Sequence, residues 1–182
     1  SIGCATPRST CLGRFPNWWS AAWPSEICLE LSVTDSDLAR IFEKYGTPPL
    51  WEREANFATL IHIILEQQVS LASALSAFNK LKERLSIITP ENLLKLSDEE
   101  LKACYFSRQK TVYARELSRA ILERSLDLEN LQTLSNEEVK VELKQIKGIG
   151  DWTADIYLLM ALLRTDVMPK GDIALHAAYK TI

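Results

Sequence analysis

From Thr34 onward, apolar residues recur at helical spacing almost without a break, and no stretch of useful length alternates apolar with polar. Phe57, Leu60, Ile61, Ile64 and Leu65 fall at i, i+3, i+4, i+7 and i+8, one continuous helix face. The punctuation is helical too. Thr34 or Asp35 can cap a helix carrying Leu38, Ile41, Phe42 and Tyr45, which stops at Gly46 and Pro48. Ser70 opens the next, to about Leu85. Thr89-Pro90-Glu91 and Ser97-Asp98-Glu99-Glu100 are both helix starts, with Pro90 at a first helical position. Ser107 opens a helix with Tyr113, Leu117, Ala120 and Ile121 on one face, and Ser135-Asn136-Glu137-Glu138 opens another that runs to Lys147-Gly148. Asp151 starts a helix to about Leu163, and a last, short one follows Pro169 to Asp172. The pattern predicts an all-α protein.

Composition narrows the class. A chain of 182 residues, 47% hydrophobic and 25% charged, is long enough for one domain with a real core. Six Gly and seven Pro exclude collagen-like and low-complexity chains. No apolar run is long enough to span a membrane. A net charge of −3 and a pI near 5.5 argue against a general DNA coat, but not against a site-specific enzyme with local basic patches. Cys4, Cys11, Cys28 and Cys104 lack the spacing of a zinc site and read as reduced thiols of an intracellular protein. Residues 1–28, with Trp18, Trp19 and Trp23, show neither helical nor strand period and no signal-peptide pattern. They read as an irregular arm before a helical domain over 29–182.

Charge is uneven along the helices. Lys102, Arg108, Lys110, Arg115, Arg119 and Arg124 outnumber Glu116 and Glu123, while five acids face one lysine between Asp127 and Glu142. Solvated helix faces explain such clusters; a basic stretch before a phosphate-binding turn is the alternative.

The informative segment lies within 135–164, where two helices meet at Lys147-Gly148-Ile149-Gly150. Gly148 and Gly150 allow backbone conformations and close approaches that a Cβ forbids. The N–H groups opening the following helix then suit a phosphate oxygen. Ile149 would plug the space between the helices. A Gly-x-Gly alone is equally a plain tight turn.

The longer pattern Leu143-x-x-Ile146-x-Gly148-Ile149-Gly150-x-Trp152-Thr153-Ala154 resembles the hairpin of the helix-hairpin-helix (HhH-GPD) DNA glycosylase superfamily. That superfamily pairs the hairpin with a Gly/Pro-rich loop and an aspartate, and Val167-Met168-Pro169-Lys170-Gly171-Asp172 resembles this catalytic loop (167–172). Glu66-Gln67-Gln68-Val69-Ser70 and Ser107-Arg108-Gln109-Lys110 are similar to two further family segments, in the same order. The resemblance implies a bilobal helical glycosylase fold.

It also implies a branch. Trp152 stands where strand-cutting members carry a Schiff-base lysine, and an indole cannot form that bond. The resemblance is therefore to the monofunctional 3-methyladenine DNA glycosylase II (AlkA-like) enzymes. No cysteine follows Cys104, so the four-cysteine iron–sulfur loop of the endonuclease III branch is missing from this sequence. The implied cofactor requirement is none, with a monovalent cation at the hairpin as a candidate.

Hydrolysing an N-glycosidic bond requires an extruded base, a stabilised sugar cation and a delivered water. One carboxylate can serve the last two needs, and the resemblance assigns it to Asp172. Without the motif, Asp172 would read as a helix N-cap. Trp152 would line the base pocket, since an aromatic face attracts electron-poor alkylated purines; core packing is its alternative. Ile156 stands where some relatives carry a second aromatic. Gln68 would fill the gap left by the flipped base, and Lys147, Gly148, Ile149 and Gly150 would grip the backbone. His62 and His176 read as structural, and no metal site is expected.

The sequence ends ten residues after Asp172, before a further helix that the family carries, so the domain reads as truncated at its C-terminus. The expected partner is double-stranded DNA with damaged bases, met by a monomer in the nucleoid, cytoplasm or nucleus and not at a membrane. Two other functions fit the same residues. One is a non-catalytic helix-hairpin-helix DNA-binding module; the other is a mismatch or oxidised-base glycosylase.

Overall fold

The computed structural model describes residues 23–181, and every regular element among them is an α-helix. The helices are α1 (Trp23–Thr34), α2 (Ser36–Tyr45), α3 (Phe57–Glu66), α4 (Leu71–Leu85), α5 (Pro90–Lys95), α6 (Asp98–Ala103), α7 (Arg108–Leu122), α8 (Leu128–Leu131), α9 (Asn136–Lys144), α10 (Asp151–Met160) and α11 (Ile173–Tyr179). Short polar residues set the starts. Side-chain oxygens of Asp35, Asn56, Ser70, Thr89, Ser97, Ser107, Asp127, Ser135 and Asp172 accept backbone N–H bonds at N-caps. Each such cap contributes about 1 kcal/mol. Ser97 with Glu100 and Ser135 with Glu138 close reciprocal capping boxes.

Three expectations need correction. The arm expected to be irregular over 1–28 is helical from Trp23, and Cys28 lies inside α1; its earlier part, with Cys4, Cys11, Trp18 and Trp19, lies outside the described residues. α8 is a single turn with too few residues to show a period. α9 stops at Lys144 and α10 at Met160, each about one turn early. Beyond Met160 the chain leaves the helix as Leu162 N–H returns to Tyr157 and Arg164 N–H to Leu158.

The described helices fall into two compact units divided between Leu50 and Trp51. In the first, α1 and α2 pack against each other. α2 ends at Gly46, whose φ of 73° suits glycine and whose N–H returns to Phe42.

The second unit, α3 to α11, holds the core. Leu60, Ile61, Ile63, Ile64 and Leu65 are shielded almost completely, so α3 is buried nearly all round. It packs against α4, α7 and α10. Leu81, Leu93, Leu101, Leu117, Leu131, Leu143 and Tyr157 fill the spaces between neighbours. No described helix is long and apolar enough to cross a membrane.

Candidate active site

α9 and α10 form a hairpin held by its own side chains. Ile149 is buried at the turn, and Ile149 N–H donates to the Ile146 carbonyl at 3.0 Å. Lys140 pairs with the buried Asp155 at 2.7 Å, and Lys144 pairs with Asp151 at 2.6 Å. The Lys144 ammonium holds the Asp151 carboxyl below the usual range. Lys147 is exposed, with no hydrogen bond or ion pair among the described residues.

The two glycines of the turn differ in kind. Gly148 has φ 95°, and a Cβ there would lie inside the Tyr113 ring of α7. Its glycine is demanded by the fold. Gly150 has φ −106° and ψ −173°, extended backbone open to any residue, and a Cβ there would meet nothing within 4 Å. Nothing among the described residues demands glycine at 150. Gly150 is also the N-cap of α10 and gives it no side-chain cap, so the first N–H groups of that helix receive nothing from their cap residue.

Trp152, in the first turn of α10, is half-buried against the core. Its indole N–H donates to Asp172 Oδ2 at 3.0 Å. Asp172 Oδ1 accepts the Leu175 backbone N–H at 2.9 Å, making Asp172 the N-cap of α11. The cap and the candidate catalytic residue are thus one carboxylate, with Oδ1 on the α11 backbone and Oδ2 on the Trp152 indole. The Leu175 N–H first, and the Trp152 indole second, hold its pKa below the ordinary aspartate value. The loop before it packs closely, since a Cβ on Gly171 would sit 3.9 Å from Trp152 Cβ and Pro169 is buried. Ile156, one turn along α10 from Trp152, is buried in the core.

Gln68 is exposed in the short turn between α3 and α4, at φ 56°. Its neighbours are fixed from three directions. Lys110 Nζ donates to the Leu65 carbonyl at 2.6 Å. Arg53 holds Glu66 through two bonds of 3.0 and 2.8 Å. Gln67 Nε2 donates to the Gly148 carbonyl and to Thr153 Oγ1, both at 2.9 Å. Burial lowers the Lys110 pKa. Lys110 and Tyr113, one turn apart on α7, thereby brace the Gln68 turn and the hairpin together.

The sequence pattern singled out Gln68 as a candidate and named Lys110 only within its motif; the contacts of Gln67 and Tyr113 with the hairpin were not expected. The Gln67-Gln68 doublet was the available signal, and for Tyr113 there was none. His62 stacks on Phe78, with ring centroids 4.3 Å apart, and burial lowers its pKa. His176 shares a hydrogen bond with the Lys170 carbonyl. Clefts of about 750 Å3 beside α6 and α7 and about 580 Å3 between α4 and α6 are lined by neither Trp152 nor Asp172.

The family model described as "HhH-GPD superfamily base excision DNA repair protein" matches residues 61–182. The chain is 31% identical over 147 residues to DNA-3-methyladenine glycosylase 1 of Schizosaccharomyces pombe, covering 79% of this chain and 64% of that protein. It is 30% identical over 136 residues to the DNA-3-methyladenine glycosylase of Saccharomyces cerevisiae, covering 69% and 46%. The chain thus spans less than two thirds of these relatives. Among solved structures, S. pombe 3-methyladenine DNA glycosylase in complex with abasic DNA superposes with a TM-score of 0.77 at 31% identity, covering 85% of this chain and 79% of that one. A Clostridium acetobutylicum 8-oxoguanine glycosylase/lyase reaches 0.78 at 19% identity, covering 91% and 59%, and shares the fold. The chain therefore belongs to the HhH-GPD superfamily of base excision DNA repair proteins.

Proposed function

We propose that this chain carries the catalytic domain of a monofunctional DNA glycosylase that releases alkylated bases of the 3-methyladenine type and leaves an abasic site. The observation that carries this reading is the Asp172 carboxylate, its pKa lowered by two N–H donors and its Oδ2 tied to Trp152 on the hairpin's second helix. The partner would be double-stranded DNA, a reading supported by the similar S. pombe structure, which is a complex with abasic DNA.

The hairpin would position the duplex. Gly150, bare of any intramolecular need for glycine, would let a phosphate approach the first N–H groups of α10, and Lys147 would add charge nearby. The carbonyls of Ile146 and Gly148 already accept protein bonds, so a monovalent cation at the turn would share them. No step of the reaction needs that cation. Gln68 would enter the stack where the lesion leaves it, its amide able to bond the orphaned base. Trp152 would present its ring to the extruded base, with Ile156 behind it, and electron-poor bases would gain most from that face.

Asp172 would act on the sugar. As the glycosidic bond breaks, positive charge grows at C1′ and the ring oxygen, and a fixed carboxylate stabilises it more than water could. The same carboxylate orients a water toward C1′ and accepts its proton. Its low pKa suits charge stabilisation first and proton transfer second. With Trp152 at the position where strand-cutting relatives carry their Schiff-base lysine, that position would offer no amine to C1′, and the strand would stay intact.

The test is direct. Duplexes carrying methylated, oxidised or mismatched bases are incubated with the protein, and free base is measured. Release from methylated DNA alone supports the proposal, and duplex binding without release of any base overturns it.

A further inference from the structure

Three consecutive residues lead into the Gln68 turn, and each is fixed by a different part of the chain. Lys110 holds the Leu65 carbonyl, Arg53 holds the Glu66 carboxylate, and Gln67 reaches the hairpin. The first two ties anchor the end of α3. The third differs in kind, because it joins two surfaces that both face the DNA in the reading above. Gln67 commits its side-chain nitrogen to two acceptors, the Gly148 carbonyl at the hairpin turn and Thr153 Oγ1 in the first turn of α10. These partners lie 81 and 86 residues away in sequence. The Gly148 carbonyl can only accept, so it sets the side-chain nitrogen of Gln67 toward the hairpin.

The next residue is Gln68, held at φ 56°, a region that a side chain with Cβ occupies only under constraint. An inserting side chain must keep its place against a base stack that tends to close, so a loose turn would yield. The Gly148 peptide is correspondingly gripped on two sides, its carbonyl by Gln67 and its Cα by the Tyr113 ring.

We propose that Gln67 is a positioning residue for Gln68: its amide locks the α3–α4 turn to the hairpin, so that gripping phosphates and entering the stack occur as one rigid movement. The inference rests on the DNA reading above and adds to it a residue that touches no DNA. A plain structural role would have Gln67 stabilise the fold without acting through Gln68.

The experiment is a double-mutant cycle read by fluorescence of 2-aminopurine placed beside an abasic site in a duplex, which reports opening of the stack without requiring catalysis. Gln67→Met keeps length and volume and removes both donated bonds, Gln68→Ala removes the inserting group, and the double variant combines them. Gln67→Met should reduce the opened fraction about tenfold, the scale of two neutral hydrogen bonds. The double variant should then match Gln68→Ala within about twofold, the meaning of acting through Gln68. Thermal unfolding confirms that each variant is folded. Thr153→Val, which removes one acceptor at constant shape, carries the same cycle should Gln67→Met not fold, with about a threefold loss expected.

Factors that multiply in the double variant, or a Gln67→Met protein that opens DNA like the parent, overturn the inference. So does a parent that leaves the stack closed. A parent that opens the stack but frees no base sinks the glycosylase reading and leaves this one to the cycle. Base release with multiplying factors sinks this one alone.

Discussion

The indole N–H of Trp152 meets Asp172 Oδ2 at 3.0 Å, joining the hairpin's second helix to the loop that carries the carboxylate. The two residues read in the sequence as separate parts, a pocket wall and a catalytic acid. In the structure the Trp152 indole also orients the Asp172 carboxylate. Any substitution of Trp152 therefore disturbs stacking and charge at once, unless it is chosen to separate them.

Trp152→Phe separates them, keeping an aromatic face and removing the N–H. The Asp172 carboxyl should titrate below the ordinary value of about 3.9 in the parent and move up toward it in the variant. NMR titration of the Asp172 side-chain carbon reads this directly, and identical values in both proteins would show that the bond does not form in solution. The sign for stability follows. A depressed carboxylate contributes stability above its unfolded pKa, and that contribution is lost as pH falls through the folded pKa. The parent should therefore lose more stability than the variant on acidification below the ordinary aspartate value of about 3.9.

Asp172→Asn should lower base release on the order of 10²-fold or more, because an amide neither neutralises the sugar cation nor takes the water's proton. Asparagine caps helices as well as aspartate does, so α11 should persist and the variant should bind abasic DNA within a few-fold of the parent. Turnover near that of the parent would remove Asp172 from the reaction.

The two hairpin glycines should part company. Gly148→Ala places a Cβ in the Tyr113 ring at a positive φ and should cost on the order of 1–3 kcal/mol, seen as a lower Tm. Gly150→Ala meets no neighbour and should unfold like the parent. It should nevertheless weaken binding to lesion and undamaged duplex by similar factors, because phosphate contacts carry no base information. A Gly150→Ala protein with undiminished affinity would reduce the hairpin to a turn.

On the proposed monofunctional reading, in which Trp152 stands in place of a Schiff-base lysine, borohydride added during reaction with lesion DNA should trap no covalent complex. A trapped adduct would place a reactive amine elsewhere in the site and overturn the monofunctional reading.

The sequence by itself determined what depends on neighbours a few residues apart. Ser70, Ser97, Ser107 and Ser135 announced their helices because a cap is a bond between residues two or three apart. The face of α3 and the plug at Ile149 were legible for the same reason, as local periodicity and a local turn. The short α8 escaped because one turn has no period. Only the tertiary structure decided how the site is assembled. Gln67 reaches Gly148 across 81 residues, Tyr113 sits under that glycine, and Trp152 and Asp172 meet from a helix and a loop. Such contacts depend on how α3, α7 and α10 pack, which no spacing along the chain encodes. The difference between the glycines shows it best. Two positions apart in the sequence they look alike, but Gly148 is required by an aromatic ring from another helix, and Gly150 by nothing among the described residues.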